Sequence, residues 1–342
     1  MKYLLTLIFI FVCCVSAVGP VYAQRQTYLI PPKDTDLQID TAQEPHYVAL
    51  NKSAPRKNQL FLFLPGSNAR PQQYTVLSDT AADLGFHVIN LRYQNDKALV
   101  RVCGNDPDLD CHEKVRMEII DGTDRTPIVT VTRANSIENR TIKLLQYLRR
   151  KYAGDGWGQF LEGDSAIKWS LVVTSGHSQG GGHAGILAKK HRIVRAVMFS
   201  AMDYSRQHRQ LAPWIKAEGA TPPSGFYGFS HQRDGVPIAA LSTTIWPAYG
   251  MAAFGTVVNV DNAAPPYNNS HSLTSNLDTP HNPGPPGADY HNCVAVDDWL
   301  AKRADGTPVY KPVWEYLLAT PSTPQPKETK KPAVAKDKSK VR

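Results

Sequence analysis

Cysteine is scarce: five residues in a chain of 342, two of which, Cys13 and Cys14, fall in an apolar leader. No Cys or His pair has ligand-like spacing beside a third ligand, so no metal site is expected. Beyond the leader there is no apolar run of the roughly eighteen residues that a membrane span needs. Charge is also thin, at 20% of residues, and the formal net charge of +8 is unevenly spread. The segment from Thr320 to Arg342 holds six Lys and one Arg against Glu328 and Asp337, which leaves the remaining body close to neutral. A nucleic-acid groove requires basic residues clustered on the folded domain, so nucleic-acid binding is not expected.

What is present begins with a targeting pattern. Lys2 precedes an apolar stretch from Leu4 to Val18, and Val21-Tyr22-Ala23 offers a small-residue cleavage site before Gln24. Residues 1–23 therefore read as a signal peptide, with a secreted or periplasmic product and no stable membrane insertion after cleavage. Phe11 and Val12 are too bulky for a lipid-attachment signal at Cys13. Cys103, Cys111 and Cys293 would remain. In an oxidising compartment Cys103 and Cys111 are close enough in sequence to close a small loop, and Cys293 is the odd thiol, expected to be buried beside a helix start.

Residues 24–318 form the expected domain and 319–342 a disordered Pro- and Lys-rich tail. Leu60–Leu64 and Phe86–Leu91 are short continuous apolar runs, as are Trp169–Thr174, Val194–Ser200 and Phe226–Ser230, the pattern of strands buried on both faces. An edge strand is expected at His46–Leu50 and a further strand at Thr256–Val260. Helices are expected over Pro71–Leu84, from Asn135 to Tyr152 (with Asn135 and Glu138 as a capping box), over Gly181–Lys190 and Pro237–Met251, and near Val294–Lys302 and Pro312–Leu318. Asn95–Thr132 reads as a polar insertion and Asn262–Tyr290 as a long loop, both placed to shape a pocket. Strands alternating with helices imply an α/β fold with a mostly parallel sheet covered on both faces.

Gly176-His177-Ser178-Gln179-Gly180 lies where a buried strand meets a helix. That context makes the motif a nucleophile elbow. The serine occupies a strained turn that lifts its hydroxyl above the sheet, glycines two residues away let strand and helix approach, and the helix N-terminus faces developing negative charge.

On these residues the chain resembles the α/β-hydrolase superfamily over nearly all of Gln59–Leu318, and in particular secreted bacterial esterases of the cutinase-like or dienelactone-hydrolase-like type. The elbow continues as Gly180-Gly181-Gly182-His183, and Leu64-Pro65-Gly66-Ser67-Asn68-Ala69-Arg70 looks like the oxyanion turn of such enzymes. The resemblance implies an oxyanion hole built from the backbone N–H groups of Ser67 and Gln179. It also implies the order nucleophile, acid, histidine. Asp234, in the loop after the Phe226–Ser230 strand, is the favoured acid, with Asp203 as competitor and Asp261 as a weaker third. His291 is the favoured base, His271 the alternative, and His281 a lesser candidate. His177 and His183 are too close to Ser178 in sequence to serve.

The activity implied is hydrolysis of carboxylic esters, small or polymeric, through a Ser-His-Asp triad and an acyl-enzyme, by a monomer that needs no cofactor. The alternative is a non-catalytic binding or adhesion module on the same fold.

Overall fold

The computed structural model describes residues 25–235, 241–279 and 287–319. The leader, its cleavage site, His281 and the basic tail lie outside the described residues.

Nine strands form one sheet: β1 (Arg25–Ile30), β2 (His46–Asn51), β3 (Leu60–Leu64), β4 (His87–Asn90), β5 (Val172–His177), β6 (Arg195–Phe199), β7 (Phe226–His231), β8 (Val258–Asn259) and β9 (Ser272–Ser275). In space they run β1-β2-β4-β3-β5-β6-β7-β9-β8. β2 is antiparallel to both of its neighbours, and every other pairing is parallel. This is the α/β-hydrolase fold, a mostly parallel sheet with helices on both faces. The continuous apolar runs mark its centre, except that the run from Trp169 opens with a 3-10 turn (Trp169–Leu171) and its strand begins at Val172 and continues to His177. Every residue of β3, β4, β5, β6 and β7 is buried.

Each face carries its own core. On one, Leu62, Ile89 and Val172 pack with Ile119, Leu145, Trp157 and Leu187. On the other, Phe61, Phe63 and Val197 pack with Leu77, Phe86, Trp314 and Leu317. The first face is covered by α3 (Cys111–Asp121), α4 (Ile137–Lys151) and α5 (Gln179–Lys190), the second by α1 (Thr75–Asp83) and α7 (Lys311–Ala319).

Several expectations are corrected. His46–Asn51 is not an edge strand: β1 pairs with it and takes the edge, so all six of its residues are buried. Ser136, not Asn135, caps α4, its hydroxyl accepting from the Asn139 N–H at 3.2 Å. The Asn135 amide is engaged elsewhere, accepting from the N–H groups of Asp40 and Thr41. The Asn95–Thr132 segment contains α2 (Leu99–Val102) and α3, and the Cys103–Cys111 disulfide joins them. The helix expected over Val294–Lys302 is a single 3-10 turn, Asp297–Trp299, preceded by the five-residue α6 (Ala288–Asn292). Cys293 is buried, but it closes the end of α6 rather than flanking a helix start.

The largest correction concerns Asn262–Tyr290. Its middle is β9, which pairs with β7 from Gly228↔Ser272 to His231↔Ser275. Three of the four residues of β9 are Ser or Thr, so it lacks the apolar texture that reveals its neighbours.

Candidate active site

Parallel sheets of this kind collect ligands at the carboxyl ends of their strands. Five loops meet there. β3 leads to Ser67, β5 to Ser178, β6 to Asp203, β7 to Asp234, and the chain after β9 returns through His291.

Ser178 follows β5 directly and precedes α5. Its φ is 54° and ψ −117°, a conformation that costs a non-glycine residue of order 1–3 kcal/mol. The turn is possible because its flanking glycines leave no room for side chains. A Cβ on Gly176 would lie 2.3 Å from the Gly180 carbonyl carbon, and one on Gly180 would lie 1.8 Å from the Leu64 carbonyl oxygen. The same close approach brings the turn after β3 against the elbow. The Ser178 N–H donates to the Phe199 carbonyl at 2.8 Å, and the residue remains partly exposed. The amide of Gln179 is among the first of α5, where no intrahelical acceptor exists.

His291, at the end of α6, places Nδ1 2.9 Å and 3.0 Å from the two carboxylate oxygens of Asp234. The Asp234 side chain is fully buried and the His291 ring 22% exposed. With Nδ1–H donating to the carboxylate, the neutral imidazole carries its lone pair on Nε2. Ser178, His291 and Ser67 line one cleft of about 520 Å3 that also includes Gly66, Tyr74 and His177.

The competing residues are committed to other bonds. Asp203 receives Arg116 Nε at 2.6 Å, Arg116 Nη2 at 2.5 Å and the Trp214 indole N–H at 3.1 Å. Burial alone would push its carboxyl up; Arg116 outweighs that and holds it at about 2. Asp261 accepts from the Ser275 hydroxyl and the Asn276 N–H. His271 sits before the first residue of β9, at the opposite end of that strand from the loops that carry Ser178 and Asp234. Its Nδ1 donates to the Phe226 carbonyl, its ring stacks between Tyr227 and Phe254, and burial pushes its pKa down to about 4.

Two features of the site escape a reading by motif. The first is a chain of hydrogen bonds through His177. The Gly66 N–H donates to the Tyr74 hydroxyl at 3.1 Å, Tyr74 donates to His177 Nδ1 at 3.1 Å, and His177 Nε2 donates to the His291 carbonyl at 2.9 Å. Burial first, then the neighbouring His291, pushes the His177 pKa down to about 3, so the ring stays neutral. One neutral imidazole thereby ties the turn after β3, the elbow and the segment carrying His291.

The second is Arg116, fully buried with Asp203, which donates from Nη1 to the Gln179 carbonyl at 2.7 Å. A Cβ on Gly182 would fall 2.0 Å from its guanidinium, so the third glycine of the Gly180-Gly181-Gly182 run makes room for Arg116 rather than for the turn. That extra glycine is the only trace of the pair in the sequence around the elbow. The Gln179 side chain accepts from the Ser67 hydroxyl at 2.7 Å and thus joins the two proposed oxyanion residues.

Among the described residues no group of three or more His, Cys, Asp or Glu side chains could hold a metal ion, and no helix is long and apolar enough to cross a membrane.

No protein-family model matches the chain, and no curated protein matches it. Among solved structures it is similar to a protein from Klebsiella pneumoniae subsp. pneumoniae MGH 78578 described as a "Putative Dienelactone Hydrolase". The identity is 13% over 86% of this chain and 97% of that one, with a TM-score of 0.43.

Proposed function

We propose that this protein is an exported serine hydrolase of carboxylic esters, with Ser178 as nucleophile, His291 as general base and acid, and Asp234 as the carboxylate that orients His291. The observation that carries the reading is the strained Ser178 in one cleft with an imidazole whose Nδ1 is tied to a buried carboxylate.

The chemistry follows from that arrangement. Ser178 Oγ attacks the ester carbonyl carbon while His291 Nε2 takes its proton. The oxyanion that forms is received by the N–H groups of Ser67 and Gln179, each worth about 2.7–4 kcal/mol in the transition state. The dipole of α5, directed at the same point, adds to this stabilisation. Collapse breaks the bond to the leaving alcohol, which takes the proton from His291, and Ser178 is left acylated. Water then repeats the sequence and releases the acid. Asp234 keeps the proton on Nδ1 and stabilises the imidazolium.

Export is proposed on the leader pattern and on the Cys103–Cys111 disulfide, which persists in oxidising compartments. The test is turnover of p-nitrophenyl acetate. Ser178→Ala and His291→Ala are each expected to lower kcat at least a thousandfold, whereas His271→Ala retains most of the activity of whatever protein folds. Loss confined to His271→Ala would reassign the base and sink this triad.

A further inference from the structure

Two cavities meet at Ser178, and they differ in size and in lining. One is the open cleft of about 520 Å3 already described; the other is a recess of about 70 Å3 walled by Leu99, Val100, Met202 and Ser200. Ser178, Ser67 and His291 line both. An ester bound for attack by Ser178 must send its acyl group one way and its alcohol the other.

The order of product release decides which goes where. The alcohol departs while the acyl group is still covalently attached, so the alcohol needs the open side. The acyl group can stay in the smaller, less open recess until water arrives. The recess is small: a cavity of roughly 150 Å3 takes up one benzene ring, so one of about half that volume suits two or three carbons. Leu99 is only 2% exposed and packs into the core, which fixes that wall. Arg116 also borders the recess, but all three of its nitrogens are occupied by Asp203 and the Gln179 carbonyl. That commits three of its five N–H groups and holds the guanidinium in place.

The open cleft has the opposite character. The side chains of Asn68, Arg101 and Asn292 face it and make no hydrogen bond to another described residue. Trp299, partly exposed, forms part of the same wall. Unspent donors beside an aromatic face suit a ligand with many hydroxyl groups, and the volume is that of a site for a ligand larger than a single ring.

Resting on the hydrolase reading of Ser178, we infer that the substrates are short-chain acyl esters, of two or three acyl carbons, on a hydroxyl of a polyhydroxylated alcohol such as an oligosaccharide. The reaction transfers the acyl group from the sugar oxygen to Ser178 Oγ and then to water, giving a free sugar hydroxyl and a short carboxylic acid.

The experiment has two arms. In the first, kcat/KM is measured on p-nitrophenyl acetate, propionate, butyrate, hexanoate and octanoate. The maximum is expected at two or three carbons, with at least a tenfold fall by six, and Met202→Ala is expected to move the maximum to a longer chain. In the second, a monoacetylated trisaccharide is compared with the acetate of its single sugar, two esters of equal intrinsic reactivity. The trisaccharide ester is expected to be at least tenfold better, and Trp299→Ala to erase that advantage. A profile that is flat or rises with chain length, or equal turnover of the two sugar esters, overturns the inference while leaving the hydrolase reading intact. Absence of turnover on every ester, together with no fluorophosphonate labelling of Ser178, overturns both.

Discussion

Ser178 can hold a strained backbone because the atoms around it leave no alternative, and the neighbouring side chains extend that constraint to the rest of the site. The Tyr74–His177 chain is the clearest example. Tyr74→Phe would leave the Gly66 N–H and His177 Nδ1 without their partner in a fully buried setting. We expect a loss of about 1–3 kcal/mol in urea unfolding. A fall in kcat should accompany it, with little change in KM, because the turn carrying Ser67 loses an anchor. The Arg116–Asp203 pair makes a larger demand. Asp203→Asn leaves a buried guanidinium short of its counter-charge, and an unfolding measurement is expected to show a loss of about 3–5 kcal/mol. An unchanged midpoint would show that the pair is dispensable. At this scale the candidate nucleophile stands out in the sequence by itself, whereas His291 is favoured over His271 only on the resemblance. Ser178 is announced by its immediate neighbours, glycines on each side between an apolar strand and a helix. Choosing between His271 and His291 requires knowing at which end of a strand each one lies, and that strand carries no apolar signature.

Among the elements, the same contrast between local and non-local information recurs. The buried strands β3, β4, β6 and β7 are readable because burial on both faces favours largely apolar runs, whereas β5 is apolar only at Val172 and Val173 and gives way to Thr174-Ser175-Gly176-His177. β9 can be made of Ser and Thr because other groups satisfy their hydroxyls: Ser275 donates to Asp261, and Tyr310 lies 2.8 Å from the same hydroxyl. The segment from Ala98 to Asp121 is more than an insertion. It forms one wall of the cleft through Ala98, Val100 and Arg101, and it supplies Arg116. Residues 262–279, by contrast, contribute nothing to the lining of either cavity. The Cys103–Cys111 bridge ties α2 to the start of α3 and so sets the position of that wall. Replacing both cysteines by Ser is expected to lower stability by about 2–4 kcal/mol and to raise KM more than it lowers kcat. Thermal melts and steady-state kinetics on the double variant check both expectations, and unchanged KM would separate the bridge from the cleft.

For the molecule as a whole, the buried histidines set the response to acid. Burial holds His177 at about 3 and His271 at about 4, and pushes His46 and His183 well below their ordinary value of 6.5. Below pH 6.5 the unfolded chain takes up protons that the folded one refuses, so stability falls as pH drops from 6.5 toward these depressed values. Each such ring contributes a loss of up to about 1.4 kcal/mol per pH unit. Asp203 adds a second loss as pH falls from 3.8 toward 2, where its pairing with Arg116 is titrated away. Urea midpoints measured from pH 8 to pH 4 should therefore be level above about pH 7 and decline steadily below it. A midpoint that holds or rises between pH 6.5 and pH 4 would mean that these rings are not buried as described.

The proposed chemistry requires Ser178 to be a reactive nucleophile. Intact-mass analysis of the purified protein after exposure to a fluorophosphonate, followed by peptide mapping, measures that property without assuming a substrate. One adduct per chain on the peptide that contains Ser178, and none on Ser178→Ala, is the expected result. An unmodified wild-type chain, or an adduct that persists on the variant, would contradict it.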